Sequence, residues 1–200
     1  MKPVTRIDGR AIPLGLDNID TDIIIPAAHL KTIRRDGLGR HAFEAIRAKP
    51  GNVIDDPAFA GAPIMIAGAN FGCGSSREHA AWALADLGVE AVIAEGFSDI
   101  FGGNAYKNGI VAVVLPRPAI EALLMVARRG QAISVDLAAM RVTSGNDLDF
   151  AFTLDPFRRD CLLGGLDEIG LTLKSEPAIA AFEQQRREML TPLLATADFS

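Results

Sequence analysis

The chain reads as an α/β protein built on a central βαβαβ unit, with additional antiparallel strands and a C-terminal helix. Three observations carry this reading. The runs Ile64–Ala67, Val89–Ala94 and Ile110–Leu115 are, Glu90 apart, continuously apolar, as strands of a parallel sheet covered on both faces are. The segments between them have the spacing or the length of helical crossovers. Beyond residue 130 come short runs separated by turn residues, the pattern of antiparallel strands. With 49% of its 200 residues hydrophobic and 22% charged, the chain has enough apolar material for a real core.

Taken in order, the first 60 residues are rich in turn signals, including Asp17-Asn18, Asp36-Gly37 and Pro50-Gly51-Asn52, and the run Ile23-Ile24-Ile25 ends at Pro26. Long loops are expected there. Ser75 to Leu87 carries helical spacing through Ala80, Ala83, Leu84 and Leu87 and stops at Gly88. Phe97 to Lys107 is a second helical connection, closed by Asn108-Gly109. Pro116 and Pro118 open a helix that runs to Arg129 and ends at Gly130. Ala132–Leu137, Met140–Thr143 and Leu148–Leu154 are the antiparallel strands, with Ser144-Gly145-Asn146-Asp147 as one turn. From about Lys174 to Leu194 an amphipathic helix places Ile179, Phe182 and Met189 toward one side and exposes the charged stretch Glu183 to Glu188.

The formal charge of -5 disfavours nucleic acid or anionic membrane as a partner, since both require a basic surface. No apolar run approaches the roughly 18 residues of a membrane-spanning helix, and Met1 to Gly15 lacks the basic-then-apolar order of a signal peptide. A cytoplasmic metabolic protein is expected. Only two cysteines, Cys73 and Cys161, are present, so no disulfide framework is expected. His29 and His41 are not spaced as metal ligands, and no metal site is expected in this chain.

The densest chemical signal is Gly68-Ala-Asn-Phe-Gly-Cys-Gly-Ser-Ser-Arg-Glu-His79, placed between a buried strand and the start of a helix. Its glycines let the backbone turn sharply, and Ser75 followed by Glu78 has capping-box spacing, which puts Ser75 at the helix N-terminus. Such a terminus offers free N–H groups and partial positive charge to an anion, and Arg77 adds a planar fork that suits a carboxylate. The same field lowers the cost of ionising the Ser75 hydroxyl, making it a candidate general base. A plainer reading competes: Ser75 caps the helix, Glu78 completes the box and Arg77 is solvated. The glycines do not follow G-x-G-x-x-G, which disfavours a nucleotide, and the nucleophile elbow G-x-S-x-G is missing, which disfavours a serine hydrolase. His79 is expected to satisfy a local hydrogen bond, and Cys73 to fill a tight loop.

The segment Asn70 to Ala80 closely resembles the signature of the swivelling domain of the aconitase superfamily. Asp20-Thr21-Asp22 with Ile24-Ile25-Pro26, Tyr106-Lys107-Asn108-Gly109, and Gly165 to Leu173 with Phe182-Glu183 recur in the order seen in the family of small subunits of 3-isopropylmalate dehydratase. The resemblance covers nearly the whole chain. It implies an aconitase-type swivelling β/β/α domain over residues 1–173, containing a substrate loop at about 26–40 and the Gly-Ser-Ser-Arg loop at 68–79, followed by a helical extension over 174–200.

It also implies a hydro-lyase that interconverts 2-isopropylmalate and 3-isopropylmalate in leucine biosynthesis. Ser75 is then the catalytic base, Ser76 and Arg77 bind a substrate carboxylate, Leu30 and Ile33 touch the alkyl group, and Arg34 supplies a second carboxylate contact. Enzymes of this superfamily use a four-iron, four-sulfur cluster, normally held by three protein thiolates when one iron stays open. Two distant cysteines cannot supply that set, so the cluster is expected in a separate large subunit, with this chain active only in the heterodimer or a higher assembly. The chain departs from the family pattern at Ile23, Ala27, His29 and Gly102-Gly103. Those positions leave open a paralogue acting on citramalate, methylmalate or dimethylmaleate; a carboxylate-binding module that kept the fold without catalysis is a second, separate alternative.

Overall fold

A computed structural model describes residues 1–195, with side chains through Met189; the last residues of the expected extension, 196–200, lie outside the described residues. Strands β1 (Arg6–Gly9) and β2 (Ala11–Pro13) come first, followed by helix α1 (Thr21–Ile24), two 3-10 turns (Ala27–His29 and Gly39–His41), helix α2 (Glu44–Arg47) and a third turn, Pro57–Phe59. The unit β3 (Ile64–Ile66), α3 (Glu78–Asp86), β4 (Ala91–Ala94), α4 (Asp99–Lys107), β5 (Val111–Val114) then forms the expected βαβαβ core. After it come α5 (Arg117–Arg128), strands β6 (Ile133–Asp136), β7 (Arg141–Ser144) and β8 (Leu148–Ala151), and helices α6 (Pro156–Gly164), α7 (Glu168–Lys174) and α8 (Glu176–Ala195).

Two four-stranded sheets result. One is parallel in the order β2-β3-β4-β5, and the other is antiparallel in the order β1-β6-β7-β8. Alternation within the parallel strands explains the layering, because successive side chains leave a strand on opposite faces. Met65, Val92 and Ala94 face a core completed by Ala80, Ala83 and Leu84 of α3 and by Phe101 and Ala105 of α4. Ile64, Ile66, Ala91 and Ile93 face a second core, closed by Ile120, Leu123 and Leu124 of α5 and by Ile133, Val135 and Val142 of the antiparallel sheet. The parallel sheet is thus covered on both sides, which is why its strands read as continuously apolar. This is the β/β/α architecture expected from the sequence.

The expectation of long loops holds between Pro13 and Ile64, where two four-residue helices and three 3-10 turns interrupt irregular chain, but not at the start of the chain. β1 and β2 are part of the two sheets, and Ile23 and Ile24 lie in α1. β2 is an edge strand of three residues ending in Pro13, a place where a strand tolerates the missing N–H. Helix α6 was not expected either. Asp155 caps it by accepting from the Arg158 N–H at 3.0 Å, Pro156 occupies its first turn, and Gly165 terminates it at φ +63°. The expected tail helix forms as α8, with Ile179, Phe182 and Met189 exposed, and a short helix that was not expected, α7, precedes it across Ser175.

Candidate active site

The 68–79 loop leaves the carboxyl end of β3 and is held by backbone hydrogen bonds on both sides. On one flank the N–H of Gly68 donates to Leu16, that of Asn18 to Ala69, that of Gly72 to Ile19 and that of Thr21 to Cys73, at 2.7–2.9 Å. On the other, Glu95 donates to Gly68, Phe71 to Gly96 and Ser98 to Phe71, at 2.9–3.2 Å. The Ser98 hydroxyl also donates to the Gly72 carbonyl at 2.5 Å. Phe71 is fully buried and meets Phe97 and Phe101 edge-on, with ring centroids 6.0 and 5.2 Å away. Gly72 adopts φ +72°, and a Cβ there would overlap the Phe101 ring, so glycine is required by conformation and by space.

The structure brings two of the sequence motifs together. Asp20-Thr21-Asp22 docks on the loop: the Thr21 hydroxyl donates to the Ser75 carbonyl at 3.0 Å, and Arg77 Nη1 pairs with Asp22 Oδ1. Asp20 caps α1 by accepting from the Ile23 N–H at 2.7 Å. Ser75 and Ser76 are exposed, while the Arg77 side chain is only 17% exposed beside its partner carboxylate.

The expected capping box does not form. The N-cap of α3 is Arg77, no side chain caps the helix, and Ser75 lies two residues before it. The reason lies in the competing partners. Thr21 takes the Ser75 carbonyl, and the Glu78 carboxylate accepts from Trp82 Nε1 at 3.2 Å and Asn108 Nδ2 at 3.4 Å instead of turning back. The consequence for chemistry is favourable, because an uncapped terminus keeps its N–H groups and partial positive charge available to an anion.

The loop at 26–40 runs alongside α3. His79 donates through Nε2 to the Thr32 carbonyl at 2.9 Å, a partner 47 positions away instead of the local one expected, and Arg35 lies 5.1 Å over the Trp82 ring. Asp86 accepts from the Gly39 N–H at 2.7 Å. Arg34 is turned to Asp36, with contacts of 3.1 and 3.3 Å, and among the described residues no hydrogen bond or ion pair joins it to Ser75, Ser76 or Arg77. Arg34 lines a cavity of about 430 Å³ with His29, Lys31, Thr32 and Arg40. Leu30 packs partly against the core, and Ile33 is 94% exposed. Ser75, Ser76 and Arg77 therefore form one group, and Leu30, Ile33 and Arg34 sit on a neighbouring loop that is not joined to it.

Asp17 and Asn18, read from the sequence only as a turn signal, grip the glycine loop. Asp17 accepts from the Ala69 N–H at 2.7 Å and from Arg117 Nη2 at 3.0 Å, and Arg117 in turn pairs with Glu95 at 2.5 Å. Asn18 and Asn70, both at positive φ, join side chains at 2.9 Å. The Arg117 guanidinium, then the Ala69 N–H, hold the Asp17 carboxyl below the usual aspartate range. A depressed native pKa stabilises above the unfolded value near 3.9 and loses that contribution as pH falls through the native value. Asp17→Asn is therefore expected to lower stability at neutral pH and to narrow its gap from wild type below about pH 4, read by thermal melts across pH.

Cys73, half-buried in the loop, and Cys161, whose thiol burial pushes up, are both free. Two cysteines do not fit a cluster that takes three protein thiolates. No helix among the described residues is long and apolar enough to cross a membrane.

Comparison with known proteins accords with this geometry. The Aconitase C-terminal domain family matches residues 1–118, and the family of the C-terminal domain of the 3-isopropylmalate dehydratase small subunit matches 168–189. The 3-isopropylmalate dehydratase small subunit of Novosphingobium aromaticivorans is 60% identical over 195 residues, covering 98% of this chain and 96% of that protein. The protein of the same description from Zymomonas mobilis is 61% identical over 183 residues, covering 92% and 95%. Among solved structures, 3-isopropylmalate dehydratase from Methanocaldococcus jannaschii superposes with a TM-score of 0.67 at 28% identity, covering 89% of this chain and 99% of that one. A near-complete match in sequence, a shared fold and an intact glycine-serine-arginine loop lead to one conclusion: the chain belongs to the family of 3-isopropylmalate dehydratase small subunits.

Proposed function

We infer that this chain is the small subunit of a hydro-lyase that interconverts 2-isopropylmalate and 3-isopropylmalate by dehydration and rehydration, a reaction of leucine biosynthesis carried out in the cytoplasm. The observation that carries the reading is the exposed Ser75-Ser76-Arg77 group at an uncapped helix terminus, braced by Asp20-Thr21-Asp22, in a chain 60% identical to a small subunit of that description. Residues 1–173 act as the swivelling domain, and 174–200 as its helical extension.

Each residue has a role that its surroundings support. Ser75 Oγ accepts the proton from the substrate carbon adjacent to the one that loses hydroxyl, and returns it when water adds back in the opposite sense. Arg77 and the Ser76 hydroxyl hold a carboxylate against the free N–H groups of α3, and this positive field lowers the cost of an ionised Ser75. Asp22 keeps the Arg77 fork oriented before substrate arrives. Leu30 and Ile33 contact the alkyl group, and Arg34 leaves Asp36 for a second carboxylate once the 26–40 loop closes. Ser75 and Ser76 face solvent in this chain, whereas base chemistry of this kind needs a site closed to water. A large subunit supplies that cover and holds the iron–sulfur cluster that this chain's cysteines do not fit.

Two measurements test this assignment. The assembled enzyme, offered 2-isopropylmalate, citramalate and dimethylmaleate side by side, is expected to prefer the first; preference for another malate would overturn the substrate. Arg77→Lys replaces a planar fork with a point charge, and loss of one charge-assisted hydrogen bond is expected to raise KM about tenfold or more. An unchanged KM would remove Arg77 from the carboxylate site.

A further inference from the structure

His29, His41 and Glu44 have no metal-binding spacing in the sequence, yet the fold brings them to one point. His29 ends the turn Ala27–His29, His41 ends the turn Gly39–His41, and Glu44 opens α2. His29 Nε2 and His41 Nδ1 each donate to the same Glu44 oxygen at 2.8 Å, and the two imidazoles stack with centroids 3.8 Å apart. One ligand-type atom from each residue lies within 4.8 Å of the other two. The side chains are 23%, 33% and 43% exposed, so an ion can reach them from solvent.

We propose that His29, His41 and Glu44 bind one transition-metal dication of the Zn²⁺ class, which clasps the two ends of the segment between residues 29 and 41. Two imidazoles and a carboxylate are a known zinc ligand set that leaves a fourth position open. Binding requires the Glu44 carboxylate to withdraw and at least one ring to turn out of the stack, because a metal lies in the plane of the imidazole it binds and stacked rings do not aim two lone pairs at one point. Metal binding uses the lone pairs of His29 Nε2 and His41 Nδ1, with the ring hydrogens on His29 Nδ1 and His41 Nε2.

The surroundings set the class of ion. One carboxylate and two imidazoles offer too few oxygens for Mg²⁺ or Ca²⁺, ions held chiefly by oxygen ligands, and the adjoining cavity, lined by Lys31, Arg34 and Arg40 with Asp36 paired to Arg34, adds no further free carboxylate. Imidazole ligation favours a borderline dication. A metal there would restrain the segment that carries Lys31, Arg34 and Arg35, all exposed or half-exposed.

The test uses the full chain, freed of metal with a chelator and titrated with Zn²⁺ by calorimetry, with Co²⁺ as a spectroscopic probe. One Zn²⁺ per chain is expected. Glu44→Gln and His41→Ala should each weaken binding by more than about 100-fold, beyond the 10- to 100-fold typical of residues outside the ligand set. Cys73→Ser should leave the affinity unchanged. Zn²⁺ should slow tryptic cleavage after Lys31, Arg34 and Arg35 in the wild type and not in Glu44→Gln. Glu44→Gln preserves shape and hydrogen bonding, so its result stands even if His41→Ala fails to fold. Absence of saturable binding, affinity unchanged by Glu44→Gln, or a thiolate-to-cobalt charge-transfer band would each overturn the proposal.

Discussion

Ser75→Ala is expected to lower kcat of the assembled enzyme by about 10²- to 10⁴-fold, the usual contribution of a positioned general base. Folding should change by no more than about 0.5 kcal/mol, as for an ordinary surface substitution. The structure separates the two effects cleanly. Ser75 is exposed, it is not the N-cap of α3, and the group that ties it to Thr21 is its backbone carbonyl, which alanine keeps. A serine that merely capped the helix would give the reverse result, a stability loss of about 1 kcal/mol with little change in rate. Steady-state kinetics and a denaturant melt on the same preparation distinguish the cases.

Phe71→Ala is expected to cost about 3–5 kcal/mol of stability, the range for removing a large aromatic from a packed core. Phe71 is fully buried among Phe97 and Phe101, and its backbone is bonded to Gly96 and Ser98. Collapse around the missing ring would pull on Gly72 and Cys73, and through them on Ser75. Activity of the folded fraction should therefore fall with stability, whereas Phe152→Ala, buried in the other core, should reduce stability and leave kcat of the folded fraction near wild type. Equal kcat in the two variants would show that the loop does not depend on Phe71 for its position.

The central unit was legible because burial on both sheet faces leaves a continuous apolar trace, and because Gly88, Asn108-Gly109 and Gly130 mark where helices stop. Short edge strands leave little trace: β1 and β2 contribute four and three residues, surrounded by glycine and proline that also signal turns. Helix α6 carried readable signals, Asp155-Pro156 at its start and Gly164-Gly165 at its end, close to strand signals that masked them. In the site, Ser75 and Arg77 stood out through local motif chemistry and Ser76 only through the family resemblance, but the cap assignment failed because it depends on partners distant in sequence. Thr21 and Asn108 decide where the Ser75 carbonyl and the Glu78 carboxylate go, and no local spacing reveals that. The grip of Asp17 on Ala69, and the meeting of His29 with His41 and Glu44, belong to the same class of long-range contact.

The most direct test of the account is an anaerobic reconstitution with a cluster-bearing large subunit, following formation of the unsaturated acid from 2-isopropylmalate in the ultraviolet. The chain alone, the partner alone and the two together are compared in one experiment. The account predicts turnover only in the mixture, since Ser75, Ser76 and Arg77 lie exposed on this chain and the proposed cluster is on the other. Turnover by the lone chain, or none in the mixture, would contradict it.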